Sequence, residues 1–361
     1  MQPTDLAGRR IALVMMSAIG DVVHALPLVN SIRAAAPDAH LTWVIQPVPR
    51  QLLDGHPAVD EFLPFHRGRG WRAYPEVHRL VRARAFDLVL DPHVFFKAGV
   101  VTAMLRAPRK VGYDRARAPD LNWLFSTERL APRPRAHAQD EMLEFVDHLG
   151  IPRVLDWGLG PTDEERARYA ELLPRDDRPT VALVLGSSKA EKDWPAERYL
   201  PLVDRLTADP GARTILIGGR SERENRVAGM LGAHAASPPL DLREWDLRRL
   251  VYLLERTDVL VSPDTGPMHI GVALDTPTVS LMGHTNPKRV GPYRYRDLLI
   301  DAFGEPGELY TADAGYRMGR MQRISVDDVL ARVRLALQRY GRAQRGSGRG
   351  SGPGLPRPGV D

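Results

Sequence analysis

The chain has 361 residues, of which 43% are hydrophobic, and it contains no cysteine. This length fits two globular domains of about 150 residues each, which can bury their cores without covalent cross-links. The lack of cysteine excludes a disulfide scaffold, thiolate zinc sites, iron–sulfur ligation and a cysteine nucleophile.

The formal net charge of +5 is small for this length, but it is unevenly distributed. Residues 67 to 135 hold 15 basic and 6 acidic side chains, which gives this segment a net charge of +9. Residues 342 to 361 hold four arginines and one aspartate. The basic character is therefore local, and it does not by itself indicate nucleic-acid binding.

The chain begins with an apolar run at 11–19 that follows Arg9 and Arg10. This order is typical of a signal peptide, but Asp21 and His24 follow at once without a clear cleavage site. We therefore interpret residues 11–16 as a buried first strand and 21–36 as a helix that Pro37 ends. No apolar run approaches the roughly 18 residues that span a bilayer.

Short apolar runs then alternate with amphipathic stretches. The pattern predicts further strands at 41–45, 87–90, 180–185, 214–217, 259–261 and 278–281, and helices at 196–206 and 247–255. Strands that alternate with helices indicate parallel sheets, so the sequence predicts an α/β protein with two doubly wound domains. The domains are expected at 1–160 and 161–324, with a final helix at 325–341. Residues 342–361 are rich in Gly, Ser, Pro and Arg, and we predict that they are disordered.

In such sheets ligands bind beyond the carboxyl ends of the strands, so the loops after strands are candidate sites. In the first loop, Gly20 permits close approach of the backbone to a ligand. Asp21 is either a helix N-cap or a general base. His24 lies on the same helical face and is either a core histidine or a substrate contact.

The loop at 186–195 combines Ser187, Ser188 and Lys192 behind a glycine, which suits an anionic ligand. It lacks the spacing of a Walker loop. The alternative is a solvated loop in which Asp193 caps the next helix and Pro195 lies in its first turn.

Two further loops follow strands. In the loop at 262–269, the amide of Gly266 and the hydroxyl of Thr265 could meet a diphosphate at a helix start. In the loop at 218–222, a glycine pair precedes Glu222, which suits either a ribose contact or a plain turn.

Several reaction classes lack their usual motifs. The chain has no Asp-x-Asp pair, which commonly binds a metal–diphosphate complex. It has no G-x-S-x-G, no H-E-x-x-H and no G-x-G-x-x-G after a strand. The histidines show no metal-ligand spacing, so no metal site is predicted.

Taken together, these blocks resemble the family 9 glycosyltransferases, the ADP-heptose:lipopolysaccharide heptosyltransferases. The resemblance covers about residues 10 to 335 and depends on the order of the blocks at 11–27, 187–195 and 264–269. It implies a GT-B fold, with two Rossmann-like domains that face a cleft. It also implies that the helix at 325–341 packs back on the N-terminal domain.

The resemblance implies an inverting transfer of heptose from ADP-heptose, with no metal or cofactor. Asp21 would be the catalytic base, in an N-terminal domain that binds the acceptor. The C-terminal domain would bind the nucleotide sugar. The donor-binding residues would be Ser187, Ser188, Lys192, Glu222, Leu242, Asp264, Thr265, Gly266 and His269.

Within the family, the resemblance suggests the enzyme that acts first on the inner core, with Kdo-linked lipid A as the acceptor. The Arg- and Trp-rich stretch at 66–72 and the block at 91–97 carry this similarity, although His93 departs from the family pattern. The acceptor-binding residues would be Ser17, Gly20, His24, Arg67, Arg69, Arg72, Lys97, Arg115, Arg117 and His137. About half of the arginines could instead be simply solvated.

Such an enzyme would be cytoplasmic and peripheral on the anionic inner-membrane surface, with no nucleic-acid partner. A second hypothesis keeps the fold and changes the nucleotide sugar or the glycan acceptor. A third is a non-enzymatic protein that binds nucleic acid or anionic membranes. Against the third, the basic segment lacks the aromatic platforms and repeated basic spacing of nucleic-acid binders.

Overall fold

A computed structural model describes residues 4–173 and 176–341, so the tail predicted at 342–361 lies outside the described residues. Within them, the strands form two six-stranded sheets in which the pairings are parallel. The first sheet contains β1 (Arg10–Val14), β2 (His40–Ile45), β3 (Glu61–Pro64), β4 (Leu88–Asp91), β5 (Arg109–Gly112) and β6 (Glu128–Arg129). The second contains β7 (Thr180–Val184), β8 (Arg213–Ile217), β9 (Leu240–Asp241), β10 (Val259–Pro263), β11 (Thr278–Met282) and β12 (Ile300–Asp301).

Both sheets have the same strand order. It is β3-β2-β1-β4-β5-β6 in the first and β9-β8-β7-β10-β11-β12 in the second, the order of doubly wound nucleotide-binding domains. The order reverses between β1 and β4, and again between β7 and β10. These switch points open a crevice at the carboxyl ends of the strands. The predicted α/β class with two Rossmann-like domains is confirmed.

The first sheet is accompanied by α1 (Ile19–Ala35), α2 (Pro47–Leu52), α3 (Ala73–Val81), α4 (Phe96–Met104) and α5 (Ala138–Leu149). The second is accompanied by α6 (Asp163–Tyr169), α7 (Tyr199–Ala208), α8 (Glu222–His234), α9 (Leu247–Glu255), α10 (Gly266–Ala273), α11 (Pro287–Val290) and α12 (Val326–Tyr340). None of the described helices is long and apolar enough to cross a membrane.

One apolar cluster connects the two sheets. It includes the buried faces of α1 and α5, and it continues through α9 and α10 to side chains of β7 and β8. The opposite faces of the sheets have separate clusters, one beneath α3 and α4 and the other beneath α7 and α12. Because the shared cluster removes apolar area of both domains from water, it stabilises their contact beside the cleft.

Helix α12 packs on the second sheet, so the prediction that it packs back on the N-terminal domain is wrong. Val329 and Leu330 belong to the cluster that includes α7, β10 and β11. Just before the helix, the indole Nε1–H of Trp194 donates a hydrogen bond of 2.9 Å to the carbonyl oxygen of Ile324. An amphipathic pattern shows that a helix has an apolar face, but it does not show which sheet that face covers.

Candidate functional site

A cavity of about 400 Å³ lies between the domains at the carboxyl ends of the strands. From the first domain, Ser17, Asp21 and His93 line it, and from the second, Asn286 and Arg289 do so. The loops after β1 and β4 therefore face a wall from the second domain, as the switch-point rule predicts for a ligand site.

The starts of α1 and α10 meet beside this cavity. A Cβ atom on Gly20 would lie 2.7 Å from Cδ2 of His269, and a Cβ on Gly266 would lie 3.1 Å from Cγ2 of Ile19. A side chain at position 20 would force His269 to shift, and one at position 266 would press on Ile19. The two glycines thus allow the loop after β1 and the loop after β10 to approach each other closely.

Asp21 is the third residue of α1, and its carboxylate accepts a hydrogen bond from the hydroxyl of Ser17. Ala18 occupies the N-cap position, so the alternative that Asp21 is the N-cap is wrong. Both Ser17 and Asp21 line the cavity. The carboxylate is therefore held at the cleft by its own loop.

Three side chains hold the backbone that leads to Asp21. The indole Nε1–H of Trp43 donates to the carbonyl of Met15 at 3.1 Å, and the amide of Gln46 donates to the carbonyl of Met16 at 2.6 Å. From the other side, the backbone N–H of Met16 donates to Nε2 of His93 at 2.8 Å. The neighbouring strands β2 and β4 thus fix this loop from both sides. Sequence reasoning missed Trp43 and Gln46.

His93 is a neutral imidazole in this arrangement. Because its Nε2 accepts the Met16 N–H, the ring proton is on Nδ1. Burial lowers the pKa of His93, although the charges of Asp91 and Asp21 oppose this shift. Burial raises the pKa of Asp91, which accepts hydrogen bonds from the His93 backbone N–H and the Thr102 hydroxyl.

On the second domain, Asp264 is buried between two partners. The ammonium Nζ of Lys192 lies 2.6 Å from Oδ2 of Asp264, and Nε2 of His269 lies 3.4 Å from Oδ1. Burial alone raises the pKa of Asp264, but the contacts with His269 and Lys192 outweigh it and hold this pKa well below its usual range. Lys192, Asp264 and His269, which we call the charged triplet, therefore contain an ionised carboxylate.

Within the loop after β7, Asp193 binds back to Ser187. Oδ1 of Asp193 accepts the backbone N–H and the hydroxyl of Ser187 at 2.7 and 2.9 Å, and its Oδ2 accepts Nε–H of Arg223 at 2.8 Å. The alternative that Asp193 caps the following helix is therefore wrong. Ser188 is exposed, so it remains open to a ligand.

Two other residues predicted to contact the donor have different surroundings. Glu222 is an exposed residue that pairs with Arg226, and Leu242 is buried in the shared apolar cluster. The ribose contact of Glu222 and the backbone contact of the 240–242 segment with adenine stay predictions. Sequence reasoning missed Trp245, whose side chain is 73% exposed and packs closely over Gly219. A tryptophan in a polar loop just after a strand was the available signal.

The arginines of the 67–72 segment, which are predicted to bind the acceptor, follow β3. Arg67 begins the turn at 67–72, and its positive charge contributes to the lowered pKa of His93. Arg69 forms an ion pair of 2.5 Å with Glu76, and Arg72 lies 5.8 Å from the centre of the Trp71 ring.

The other predicted acceptor cations lie on the next strands of the sheet. Lys97 is exposed in the first turn of α4, and Arg115 lies over the ring of Trp123 at 5.1 Å. Both follow the carboxyl ends of β4 and β5. Lys97 and Arg115 each lie two residues along the chain from a side chain that lines the cavity, Phe95 and Tyr113 respectively.

Arg117 corrects the sequence-based prediction of an acceptor contact. Its side chain is only 3% exposed and binds Asp114 at 2.5 Å and Glu144 at 2.7 Å. A third hydrogen bond goes to the carbonyl of Ala131 at 2.9 Å. The guanidinium thus has its hydrogen-bond partners within the first domain, and it joins α5 to the loop after β5.

We expect Arg117→Met to lower the free energy of unfolding by about 3–5 kcal/mol, because it leaves Asp114 and Glu144 buried without their counter-charge. The matched Arg115→Met change, at an exposed position, should alter this free energy by less than about 0.5 kcal/mol. Urea denaturation followed by circular dichroism measures both. Equal effects of the two substitutions would contradict the structural role of Arg117.

His24 and His137 also belong to the domain interface, which corrects their prediction as acceptor contacts. The His24 ring lies 4.6 Å from that of His269 and 5.3 Å from that of His137. Nδ1 of His137 accepts the Gln139 N–H, so its Nε2–H donates to the carbonyl of Gly291 at 2.9 Å across the interface. Burial is the main cause that lowers the pKa of His137 to about 4 and that of His24 well below its ordinary value.

Two further side chains, Arg289 and Tyr293, hold the interface together at the cavity wall. Arg289 donates to the carbonyl of Ala136 at 2.6 Å and pairs with Glu141 at 2.9 Å. The hydroxyl of Tyr293 donates to Asp140 at 2.7 Å. Sequence reasoning missed these contacts because they depend on how the domains meet.

We expect the free energy of unfolding to fall as the pH decreases from about 6.5 to about 4. In the unfolded chain His137 takes up a proton near its ordinary pKa of 6.5. In the folded chain His137 takes up this proton only near its lowered pKa of about 4. For His137 alone the loss is about 3 kcal/mol. His137→Asn, which keeps an N-cap residue, should make this pH dependence shallower, and the exposed His78→Asn control should not. Identical slopes for the two variants in denaturant titrations would contradict this assignment.

Among the described residues, no group of three or more His, Cys, Asp and Glu side chains has an arrangement that could hold a metal ion.

Comparison with known proteins agrees with this geometry. Residues 76–306 match the model of glycosyltransferase family 9 (heptosyltransferase). The lipopolysaccharide core heptosyltransferase OpsX of Haemophilus influenzae is 26% identical over 83% of this chain and 86% of its own length. Lipopolysaccharide heptosyltransferase 1 of Escherichia coli is 28% identical over 81% of this chain and 93% of its own length.

The fold has solved relatives as well. The E. coli heptosyltransferase WaaC with ADP superposes with a TM-score of 0.72 and 23% identity, over 91% of this chain and 99% of that one. This likeness confirms the GT-B arrangement of the two domains. The family match covers well over half of the chain and includes the loops that carry the charged triplet. The chain therefore belongs to glycosyltransferase family 9, the heptosyltransferases.

Proposed function

We propose that this glycosyltransferase moves a heptose from ADP-heptose to the Kdo of the lipopolysaccharide inner core, with inversion and without a metal ion. The observation that carries the proposal is the position of Asp21 on the cavity wall. Its neighbour Gly20 lies against His269, which belongs to the charged triplet of the other domain. The names of the relatives, which act in lipopolysaccharide synthesis, and the ADP held by WaaC support this choice of acceptor and donor.

For the donor, the start of α10 and the ammonium of Lys192 would receive the diphosphate. No side chain of the described residues caps α1 or α10. In α10, Pro267 has no N–H and the Met268 N–H donates to the carbonyl of Thr265, so the N–H of Gly266 is left for a ligand. Thr265 and Gly266 lie at this helix start. As the sugar leaves, negative charge develops on ADP, and these donors stabilise it.

The exposed indole of Trp245 offers a face on which the adenine could stack, beside the predicted backbone contact of the 240–242 segment. Ser188 is free to donate to a phosphate oxygen. Asp264 holds Lys192 in place and keeps its ammonium at the loop after β10.

For the acceptor, Asp21 would take the proton of the attacking hydroxyl as oxygen bonds to the anomeric carbon and the bond to ADP breaks. A direct displacement needs one base on the attacking side and inverts that carbon. Ser17 orients the carboxylate. Arg67, Lys97 and Arg115 would meet acceptor carboxylates and phosphates, which guanidinium groups bind well.

The acceptor is a membrane glycolipid, so we propose that the enzyme works as a peripheral protein on the anionic cytoplasmic face of the inner membrane. The local excess of positive charge in residues 67 to 135 supports this placement. The same cations favour a phosphorylated, carboxylated acceptor over a neutral glycan, which is the alternative within this fold.

Purified protein, ADP-heptose and Kdo2-lipid A should release ADP in the presence of a chelator. Asp21→Asn should lower kcat by about 10²–10⁴-fold, because the amide cannot accept the proton, while the Kd for ADP stays nearly unchanged. Asp54→Asn, at an exposed ion pair with Arg50, is the matched control and should keep full activity.

Each part of the proposal has its own contradicting result. Release of a nucleoside diphosphate only with a different nucleotide sugar would reject the donor. Loss of activity with chelator would reject the metal-free reaction. Near-normal turnover of Asp21→Asn would reject the base.

We expect His93→Gln to retain most of kcat, because the Gln carbonyl can accept the Met16 N–H as His93 does. His93→Ala leaves that N–H without its partner, so kcat should fall by about ten-fold or more while the Kd for ADP is unchanged. Wild-type kcat should also fall at acid pH, since an imidazolium cannot accept this bond, and His93→Gln should lose that part of the pH profile. Equal activity of the Ala and Gln variants would contradict the positioning role.

A further inference from the structure

We propose that the loops after β4 and β5 form a surface that docks on an anionic phospholipid bilayer. We define this surface, the rim, by its apolar members Phe95, Phe96, Leu121 and Leu124. The inference deepens the proposed function, since it names the part of the protein that meets the membrane, and its first test does not depend on that function.

The rim is one continuous surface because its two loops are bonded to each other. The amide of Asn122 donates to the carbonyl of Phe95 at 3.0 Å, and the N–H of Phe96 donates to Asp120 at 2.9 Å. The rings of Phe96 and Phe125 lie 5.3 Å apart. These contacts hold the four apolar side chains on a fixed backbone.

Each rim side chain is between 42% and 57% exposed, which is unusual for large apolar residues grouped together. Leu121 also has a φ of +60°, a left-handed conformation that favours glycine or asparagine. Neither core packing nor backbone preference accounts for a leucine there. A hydrophobic partner outside the chain does account for it.

Three cations lie beside the rim, and the exposed carboxylate of Asp120 within its loops accepts the Phe96 N–H. Lys97 follows Phe96 directly, and the guanidinium groups of Arg115 and Arg129 each lie 5.1 Å from the centre of the Trp123 ring. The neighbouring carboxylate of Asp114 is neutralised by Arg117. Exposed apolar side chains among cations match the boundary between acyl chains and anionic headgroups, where indole rings are also favoured.

The rim reaches the cavity that contains Asp21. Phe95 lines that cavity, and the exposed Tyr316 lines it from the second domain. A lipid-linked sugar could therefore enter the cavity while its acyl chains stay in the bilayer beneath the rim. Phe95 belongs both to the cavity lining and to the exposed apolar surface. This continuity favours a membrane over a soluble protein as the partner.

The test is sedimentation of the full chain with vesicles of phosphatidylcholine alone, or with vesicles that also contain about 30% of the anionic lipid phosphatidylglycerol. Wild type should bind the anionic vesicles more tightly, and salt should weaken the binding. The double variant Leu121→Asn, Leu124→Ser should bind about ten-fold more weakly. The asparagine suits the left-handed backbone, so this variant should fold. Leu80→Ser, at a half-exposed leucine near the far end of α3, should bind like wild type.

Equal vesicle binding by wild type and the double variant would overturn the inference. So would wild-type self-association in solution that the double variant loses while vesicle binding stays unchanged, since the rim would then contact a second copy.

A second readout separates docking from chemistry. With ADP-heptose, the double variant should turn over an acylated acceptor in vesicles about ten-fold more slowly, yet keep wild-type turnover on the deacylated, water-soluble acceptor. Loss on both acceptors would overturn the rim as a docking surface. If neither acceptor reacts with wild type, the proposed function fails, and vesicle binding still decides the inference.

Discussion

The close approach of two helix starts is the constraint on which the rest of the site depends. Gly20 lies against His269, and Gly266 lies against Ile19, so the loops after β1 and β10 meet where each sheet reverses its order. This approach places the carboxylate of Asp21 one residue from the interface. The same approach keeps the charged triplet, which lies on the other domain, within reach of one ligand. A larger side chain at either glycine would separate the two halves of the site rather than alter one contact.

The charges of the first domain divide into two kinds. Arg117 is buried with Asp114 and Glu144, and Arg109 is paired with Glu128 at 2.7 Å, so their charge is used to hold the domain together. Lys97 and Arg115 instead lie exposed at the carboxyl edge. A net charge counted along the sequence cannot separate these kinds, because it does not show which cation faces a carboxylate. The positive charge available to a ligand is therefore smaller than the net charge counted along the sequence. It is concentrated at one edge of the sheet.

Much of the fold could be predicted because long apolar strands and amphipathic helices have clear periods. The central strands and helix α9 agree with the pattern, whereas the short strands β3, β6 and β12 did not stand out, since two to four residues carry no period. The loops of the site could be found by their position after strands. The roles of individual side chains in those loops were harder to predict from the sequence. Arg117 and His137 look like free polar groups in the sequence, and only their tertiary partners show that they are structural. Gln46 and Trp245 were missed because their contacts come from distant parts of the chain.

The parallel topology explains why Asp21, the exposed cations and the rim occur at the same edge. In a parallel sheet every carboxyl end points the same way, so the loops after β1, β3, β4 and β5 gather on one side. The amino ends and the outer helices are left to provide stability. A membrane acceptor needs its sugar in the cleft while its acyl chains stay in the bilayer. Side chains on this edge meet both requirements of the proposed acceptor, because Phe95 lines the cavity and also belongs to the exposed apolar surface. The charge of the first domain and its exposed apolar residues thus have one common cause, which is the direction in which the strands run.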